Sequence, residues 1–316
     1  MISWLRSQIL ALGTGWNYFW FDSRSNAQLT SLAIFRFCFC LVMFFFYFSR
    51  AFDVEFFYSG TGILPAWYAK NLPFFQYHPT IFTDSSPLWL LHGLHTLFLA
   101  LLLSQALGLF TRFSAIGTYV LHILFLNRNL SAIFGVDMIG TFFLLYLCFA
   151  NSNARYSIDA WLGRGSKRQS AASHIAWRLM QLQVCVVYGF SGLEKCKGTR
   201  WWDGSALWDI LSMGNLQRWD MSFMAHAPVL LATGVYVVLF WEIYVPILVW
   251  VPRLRLPMLL FGTFMHLGIF LFMNLPGFGF MMISLYLLFL KQNEIESGVA
   301  NVKNLVNKYS FIPSRS

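Results

Sequence analysis

The stretch Leu29–Phe48, LTSLAIFRFCFCLVMFFFYF, holds one charged side chain, Arg36, in an otherwise apolar run. Wound as a helix, a run of this length spans about 30 Å, the thickness of a bilayer's hydrocarbon core. Leu88–Phe110 and Ala227–Val251 are runs of the same kind. Backbone groups in lipid must be satisfied within the chain, which leaves helices or a closed barrel. The apolar residues are continuous, not alternating, and that excludes the barrel pattern. Composition agrees: the chain has 316 residues, 58% hydrophobic and 11% charged, with 34 Phe. A soluble domain carries about 25% charged residues. The sequence therefore predicts an all-α, polytopic helical membrane protein whose main partner is the lipid bilayer.

Eight spans are expected, near residues 28–48, 88–109, 111–127, 136–151, 174–195, 227–251, 254–274 and 276–290. Pro276-Gly277 provides a turn between the last two, since proline interrupts a helix interior. Arg253 and Arg255 precede this pair and Lys291 follows it, so basic flanks on one side require an even number of crossings. With a cytoplasmic amino terminus, the inner segments carry 13 Lys and Arg and the outer segments 7. The prediction is a multi-pass protein of the cell membrane with both termini cytoplasmic and Lys195 extracytoplasmic. Residues 1–24 read as an interfacial amino-terminal segment, 25–291 as one transmembrane domain, and 292–316 as a cytoplasmic tail. The net charge of +9 suits inner loops meeting anionic lipid. No basic patch with interleaved aromatics points to a nucleic-acid partner.

Polar residues inside spans carry the functional information, because each is costly in lipid. They are Arg36, His92, His95, His122, Asp137, Glu242 and His266. Arg36 is expected to pair with Asp137 or Glu242 as a structural interior ion pair. His92 and His95 share an i, i+3 spacing that suits chelation, but the carboxylate companions of helical metal sites are missing. No metal site is expected. Five cysteines without a CxxC pair exclude a disulfide framework.

One stretch departs from the rest: Val187–Trp208, VYGFSGLEKCKGTRWWDGSALW, where an apolar run meets Glu194, Lys195 and Lys197 directly. A lysine at such a boundary is partly desolvated, which favours its neutral amine and makes it a usable general base. Tyr188, Phe190, Trp201, Trp202 and Trp208 form an aromatic wall for a flat, isoprenoid-tailed ring arriving from the bilayer. Trp and Lys also gather at membrane boundaries as anchors.

This stretch, with SLAIFRFCFCLVMF, the WEIY of the sixth span and HLGIFLFMNLPGFGFMMIS, resembles the vitamin K-dependent gamma-carboxylase-like, or HTTM (horizontally transferred transmembrane), family. The resemblance covers about residues 25–290. Its most specific element is a Y-x-x-x-G-x-x-K-x(5)-W-x-x-G pattern, here Tyr188, Gly192, Lys195, Trp201 and Gly204. The resemblance implies that Lys195 is the catalytic base toward a reduced, vitamin K-like quinone and that His266 lies near it. It further implies a short bacterial form without the large lumenal domain. The carboxylase has a helper histidine at the start of its fourth span, and this chain has Asp137 near that position.

The expected function is a quinol-linked membrane enzyme, carboxylase-like or a quinol-dependent lyase or oxidoreductase. Lys195 and His266 are its catalytic residues, and Tyr188, Trp201, Trp202 and Asp137 bind substrate or quinone. Arg36 and Glu242 are structural, and the further substrate is a small molecule or a secreted peptide. The alternative is a non-enzymatic membrane factor for maturation or export of a secreted peptide on the same scaffold. A transporter fits less well, because the sequence has no matching halves with paired broken helices.

Overall fold

Proline and glycine set most of the helix boundaries in this computed structural model, which describes residues 14–21, 28–65, 67, 68, 71 and 80–309. The main helices are α1 (Gln28–Arg50), α2 (Leu88–Leu107), α3 (Thr111–Arg128), α4 (Gly135–Leu147) and α5 (Ala171–Cys196). Then follow α6 (Pro228–Leu248), α7 (Pro252–Phe272), α8 (Pro276–Tyr286) and α9 (Gln292–Tyr309). Pro228, Pro252 and Pro276 each open a helix at its first turn, where no intrahelical N–H bond is lost. The first eight helices fall within about four residues of the predicted ranges. No strand occurs among the described residues; Gln217 and Met273 form an isolated bridge.

Each helix packs on the next, from α1 through α8, and α8 returns to α1, so the eight close into a ring of neighbours. Its core is aromatic and aliphatic, with Leu32, Phe35, Phe39, Phe98 and Phe143 fully buried. The outward faces are also apolar: Phe264 is 70% exposed and Val229 79%. Apolar side chains on both faces fit lipid as the surrounding solvent. Four helical stretches are long and apolar enough to cross a membrane: Gln28–Tyr58, Leu88–Leu107, Pro228–Leu248 and Pro252–Phe272. Gly135–Leu147 and Pro276–Phe289 are shorter apolar helices.

The expected interfacial segment is helical over residues 14–21, with Trp16 and Tyr18 exposed; its remaining residues lie outside those described. The tail forms α9, and Glu294 on it pairs with Arg255 of α7.

The interior ion pairs differ from the expectation. Arg36 meets neither Asp137 nor Glu242; its guanidinium donates to the carbonyl oxygens of Ser152 (3.0 Å) and Tyr156 (2.7 Å) in the α4–α5 connection. Asp137 instead pairs with Arg50, with Nη2–Oδ2 at 2.9 Å and Nη1–Oδ1 at 3.2 Å. The reason is geometric. Helix α4 runs antiparallel to α1, so Asp137 in its first turn faces the last turn of α1. Arg36 lies 14 residues earlier, about 21 Å away along the axis. Tyr47 adds a 2.6 Å hydrogen bond to Asp137 and lies 3.0 Å from Nδ1 of His122, completing a buried polar knot.

Candidate functional site

On α5, Tyr188, Ser191, Gly192 and Lys195 follow i, i+3, i+4, i+7 spacing and share one face. At Gly192, α6 comes close to α5. A Cβ there would stand 3.0 Å from Ile243 Cγ1 and 3.2 Å from the Ile243 amide nitrogen. That close approach brings Glu242 opposite Lys195. The Lys195 ammonium donates to Glu242 Oε2 and to Ser191 Oγ, both at 2.6 Å. Its side chain is 22% exposed and that of Glu242 9%. This second correction makes Glu242 the partner of the lysine.

Other charges of the stretch find partners at the surface. Lys197 meets Glu194 at 2.6 Å, and Arg200 meets Asp209 at 3.3 Å. Trp201 folds back so that Lys195 Nζ stands 5.2 Å from a ring centroid, within cation–π range. The turn after it needs Gly204, whose φ of +82° is a left-handed conformation and whose Cβ would press on Ala232 of α6. Tyr236 of α6 donates to the Trp202 carbonyl at 2.7 Å and pins this turn. The W-x-x-G part of the pattern thus holds an aromatic ring over the lysine.

From α7, His266 joins the same face: its Nε2 lies 2.7 Å from the Tyr188 hydroxyl, which lies 2.5 Å from the Tyr286 hydroxyl of α8. Trp241 meets the Tyr188 ring edge-on at 4.7 Å. Lys195, Glu242, Ser191, Tyr188, His266 and Trp201 line one cavity of about 580 Å³. Its remaining walls are Met, Val, Leu, Ile, Phe and Gly from α5 to α8 and from residues 207–224 between α5 and α6. A volume of this size with a few convergent polar groups suits a small-molecule site.

Of the residues expected in the site, Lys195, His266, Tyr188 and Trp201 come together here. Trp202 does not line the cavity; it is 60% exposed, and its indole N–H donates to the Cys196 carbonyl. Asp137 is likewise outside the lining, held by Arg50, Tyr47 and the Phe134 amide. His92 is exposed while His95 is buried among Tyr58, Phe98 and Phe125, so the two do not form a chelating pair. Ser191 and Tyr286 were not singled out from the sequence. The i−4 relation of Ser191 to Lys195 was its available signal, and for Tyr286 it was a hydroxyl within an apolar run, which needs a partner once buried.

Residues 25–293 match the family model of the HTTM domain, most of the chain, and the protein belongs to that family. No curated protein and no solved structure matches it.

Proposed function

We propose that this HTTM-domain membrane protein is an enzyme in which Lys195 takes a proton from a reduced quinone or a similar flat substrate with an apolar tail. The observation that supports it is the Lys195–Glu242 pair set into the wall of an apolar cavity that also receives His266. The residues fit such a group. The cavity is large and mostly apolar, and the Nδ1 atom of buried His266 has no hydrogen-bond partner among the described residues. A reduced quinone supplies an acidic ring hydroxyl and two reducing electrons.

The chain's own part is proton handling. Along the 2.6 Å contact, a proton moves from Lys195 Nζ to Glu242 Oε2, leaving a neutral amine beside a neutral carboxylic acid. The amine then accepts the proton of the substrate hydroxyl: one O–H bond breaks, one N–H bond forms, and the new ammonium stands beside the substrate oxygen. Ser191 and the Trp201 ring keep the nitrogen in place through both steps. The apolar walls exclude water and strengthen each electrostatic contact.

In this reading all eight helices cross the cell membrane, both termini are cytoplasmic, and the cavity lies toward the extracytoplasmic side. A ring with a lipid tail enters from the bilayer, and the second substrate is a small molecule or a secreted peptide. The test is turnover of a supplied reduced naphthoquinone by protein in nanodiscs, together with mass spectrometry of quinone retained through gentle purification. Lys195→Ala and Lys195→Arg should both lose turnover at normal abundance, because arginine keeps the charge but does not release a proton. Full turnover in Lys195→Arg refutes the base. Absence of both quinone and turnover in the wild type favours the peptide-maturation scaffold.

A further inference from the structure

We infer that the hydrogen-bond chain Tyr286–Tyr188–His266 runs in one direction and fixes His266 as a neutral Nδ1–H donor toward an acceptor oxygen of the molecule in the cavity. The inference rests on the reading of this cavity as the substrate site and adds a requirement on the substrate. It must present a carbonyl or other hydrogen-bond-accepting oxygen to His266, in addition to the hydroxyl that meets Lys195.

The direction follows from counting protons. His266, Tyr188 and Tyr286 are 2%, 3% and 4% exposed, so each of their polar hydrogens needs an acceptor inside the protein or in the cavity. Each tyrosine hydroxyl has one hydrogen, and a neutral imidazole has one N–H. Among the described residues, the hydrogen-bond contacts of these groups are Tyr286 with Tyr188 and Tyr188 with His266 Nε2.

Three arrangements satisfy that geometry. If Tyr286 donates to Tyr188 and Tyr188 donates to Nε2, the Nδ1–H and the acceptor oxygen of Tyr286 are left over. If Nε2–H donates to Tyr188 and Tyr188 donates to Tyr286, the Tyr286 hydrogen and the bare Nδ1 are left over. If both neighbours donate to Tyr188, its own hydrogen, the Tyr286 oxygen and Nδ1 are left over. Count removes the third arrangement, because every unsatisfied buried group costs free energy.

Location decides between the first two, in favour of the first. The space against Tyr286 is a small pocket of about 10 Å³ shared with Val184, Val245 and Leu259. Apart from the two tyrosines, already bonded to each other, and the Cys185 thiol, its lining is aliphatic and aromatic, a poor seat for a water that would accept the Tyr286 hydrogen. His266, by contrast, lines the large cavity. A doubly protonated ring would add a second buried positive charge on the wall that already holds Lys195, so the neutral tautomer stands. Tyr188 is therefore a positioning residue: its hydroxyl is spent on His266 and does not bind substrate, unlike the role expected for it from the sequence.

The direct test is the tautomer of His266 in full-length protein in nanodiscs, read from ¹⁵N resonances of labelled histidine, in which protonated and bare ring nitrogens are well separated. The His266 signals are those lost in His266→Gln. The expected result is a protonated Nδ1 and bare Nε2 in the wild type, with Nε2–H appearing in Tyr188→Phe. A wild-type ring protonated at Nε2 overturns the inference.

The ligand requirement is tested with menadione and with 2-methylnaphthalene, which has the same ring shape and no acceptor. His266→Leu should weaken menadione binding about tenfold and leave 2-methylnaphthalene within about twofold, the size of one net hydrogen bond. Equal losses for the two probes overturn it. The tautomer is read without turnover, so failure of the Lys195 base leaves this result standing. An Nε2–H ring, conversely, would leave the lysine chemistry intact.

Discussion

Removing the carboxylate of Asp137 should destabilise the protein more than removing any surface charge, and the structure sets the size of the effect. The Asp137 side chain is fully buried and accepts from Arg50 twice, from the Tyr47 hydroxyl at 2.6 Å and from the Phe134 amide at 2.9 Å. Without it, Arg50 keeps the Ala132 carbonyl, the distant Tyr58 hydroxyl and the face of Phe46, none of which carries a negative charge. A buried ion stripped of its partner costs about 3–5 kcal/mol. The freed Phe134 amide adds about 1 kcal/mol. Asp137→Leu should therefore cost about 4–6 kcal/mol. Arg50→Met should cost nearly as much by stranding Asp137. The double variant should recover most of the loss, since two apolar residues in place of a buried pair are often neutral. The assay is a double-mutant cycle from unfolding in mixed micelles by titrated dodecyl sulfate, followed by tryptophan fluorescence. A coupling of at least about 3 kcal/mol is expected between Arg50 and Asp137, and almost none between Arg36 and Asp137. Additive Arg50 and Asp137 effects would refute the reasoning, and strong Arg36–Asp137 coupling would restore the pairing expected from the sequence alone.

Acid should loosen the start of α3. Burial pushes the Asp159 carboxyl up, but the Thr111 amide and hydroxyl and the Phe110 amide outweigh it and hold the group below its ordinary value. A depressed folded-state value stabilises above the unfolded carboxylate range, near about 3.9, and that stability is lost as pH falls through the folded value. Melting temperatures measured from pH 7 to pH 3 should therefore drop less steeply in Asp159→Asn, which starts lower; parallel curves would sink this assignment. Gly192→Leu should push α5 from α6 at Ile243 and break the Lys195–Glu242 contact, so that acetylation of Lys195, read by mass spectrometry, speeds several-fold. Unchanged labelling would show that the glycine is not the close-approach point. Tags on both termini should be reachable only from the cytoplasm, and carboxyl-terminal labelling in intact cells would contradict the even number of crossings.

The helices were legible because two strong signals coincide, long apolar runs and the prolines and glycines between them. Pro252 and Pro276 start helices where the runs break, and Gly108 ends α2 in the left-handed conformation. The apolar pattern is weaker in α3 and α5. Arg112, His122 and Arg128 on α3, and His174, Arg178, Gln181 and Glu194 on α5, dilute the apolar signal although both helices pack into the ring. Partner choice was not legible. Arg50 stood two residues beyond the predicted end of α1, yet those two residues of helix, about half a turn, carry it to Asp137. Arg36 read as needing a carboxylate, but two backbone carbonyls of an irregular connection take its terminal nitrogens instead, and no periodicity predicts where such carbonyls will lie. Lys195, Trp201 and His266 were found because a motif marks them; Tyr286 has no motif, and only tertiary structure brings it to Tyr188.

The two buried charge centres use the same chemistry and differ in what is left unsatisfied. At Arg50 and Asp137, both carboxylate oxygens are taken, each terminal guanidinium nitrogen has an acceptor, and the aromatic rings of Phe46, Tyr47, Phe57 and Phe134 close around the arginine. Nothing remains for a ligand to engage, and such a knot locks α1 to α4. At Lys195 and Glu242, an ammonium with three donors uses two, on Ser191 and Glu242, and its remaining side meets a π face on the wall of a cavity of about 580 Å³. Nearby, His266 retains a ring nitrogen without a partner among the described residues. Unspent hydrogen-bonding capacity next to open apolar space separates a site from a structural pair. That difference, more than the presence of charge in the membrane, is why we place the chemistry at Lys195 and the scaffold at Asp137.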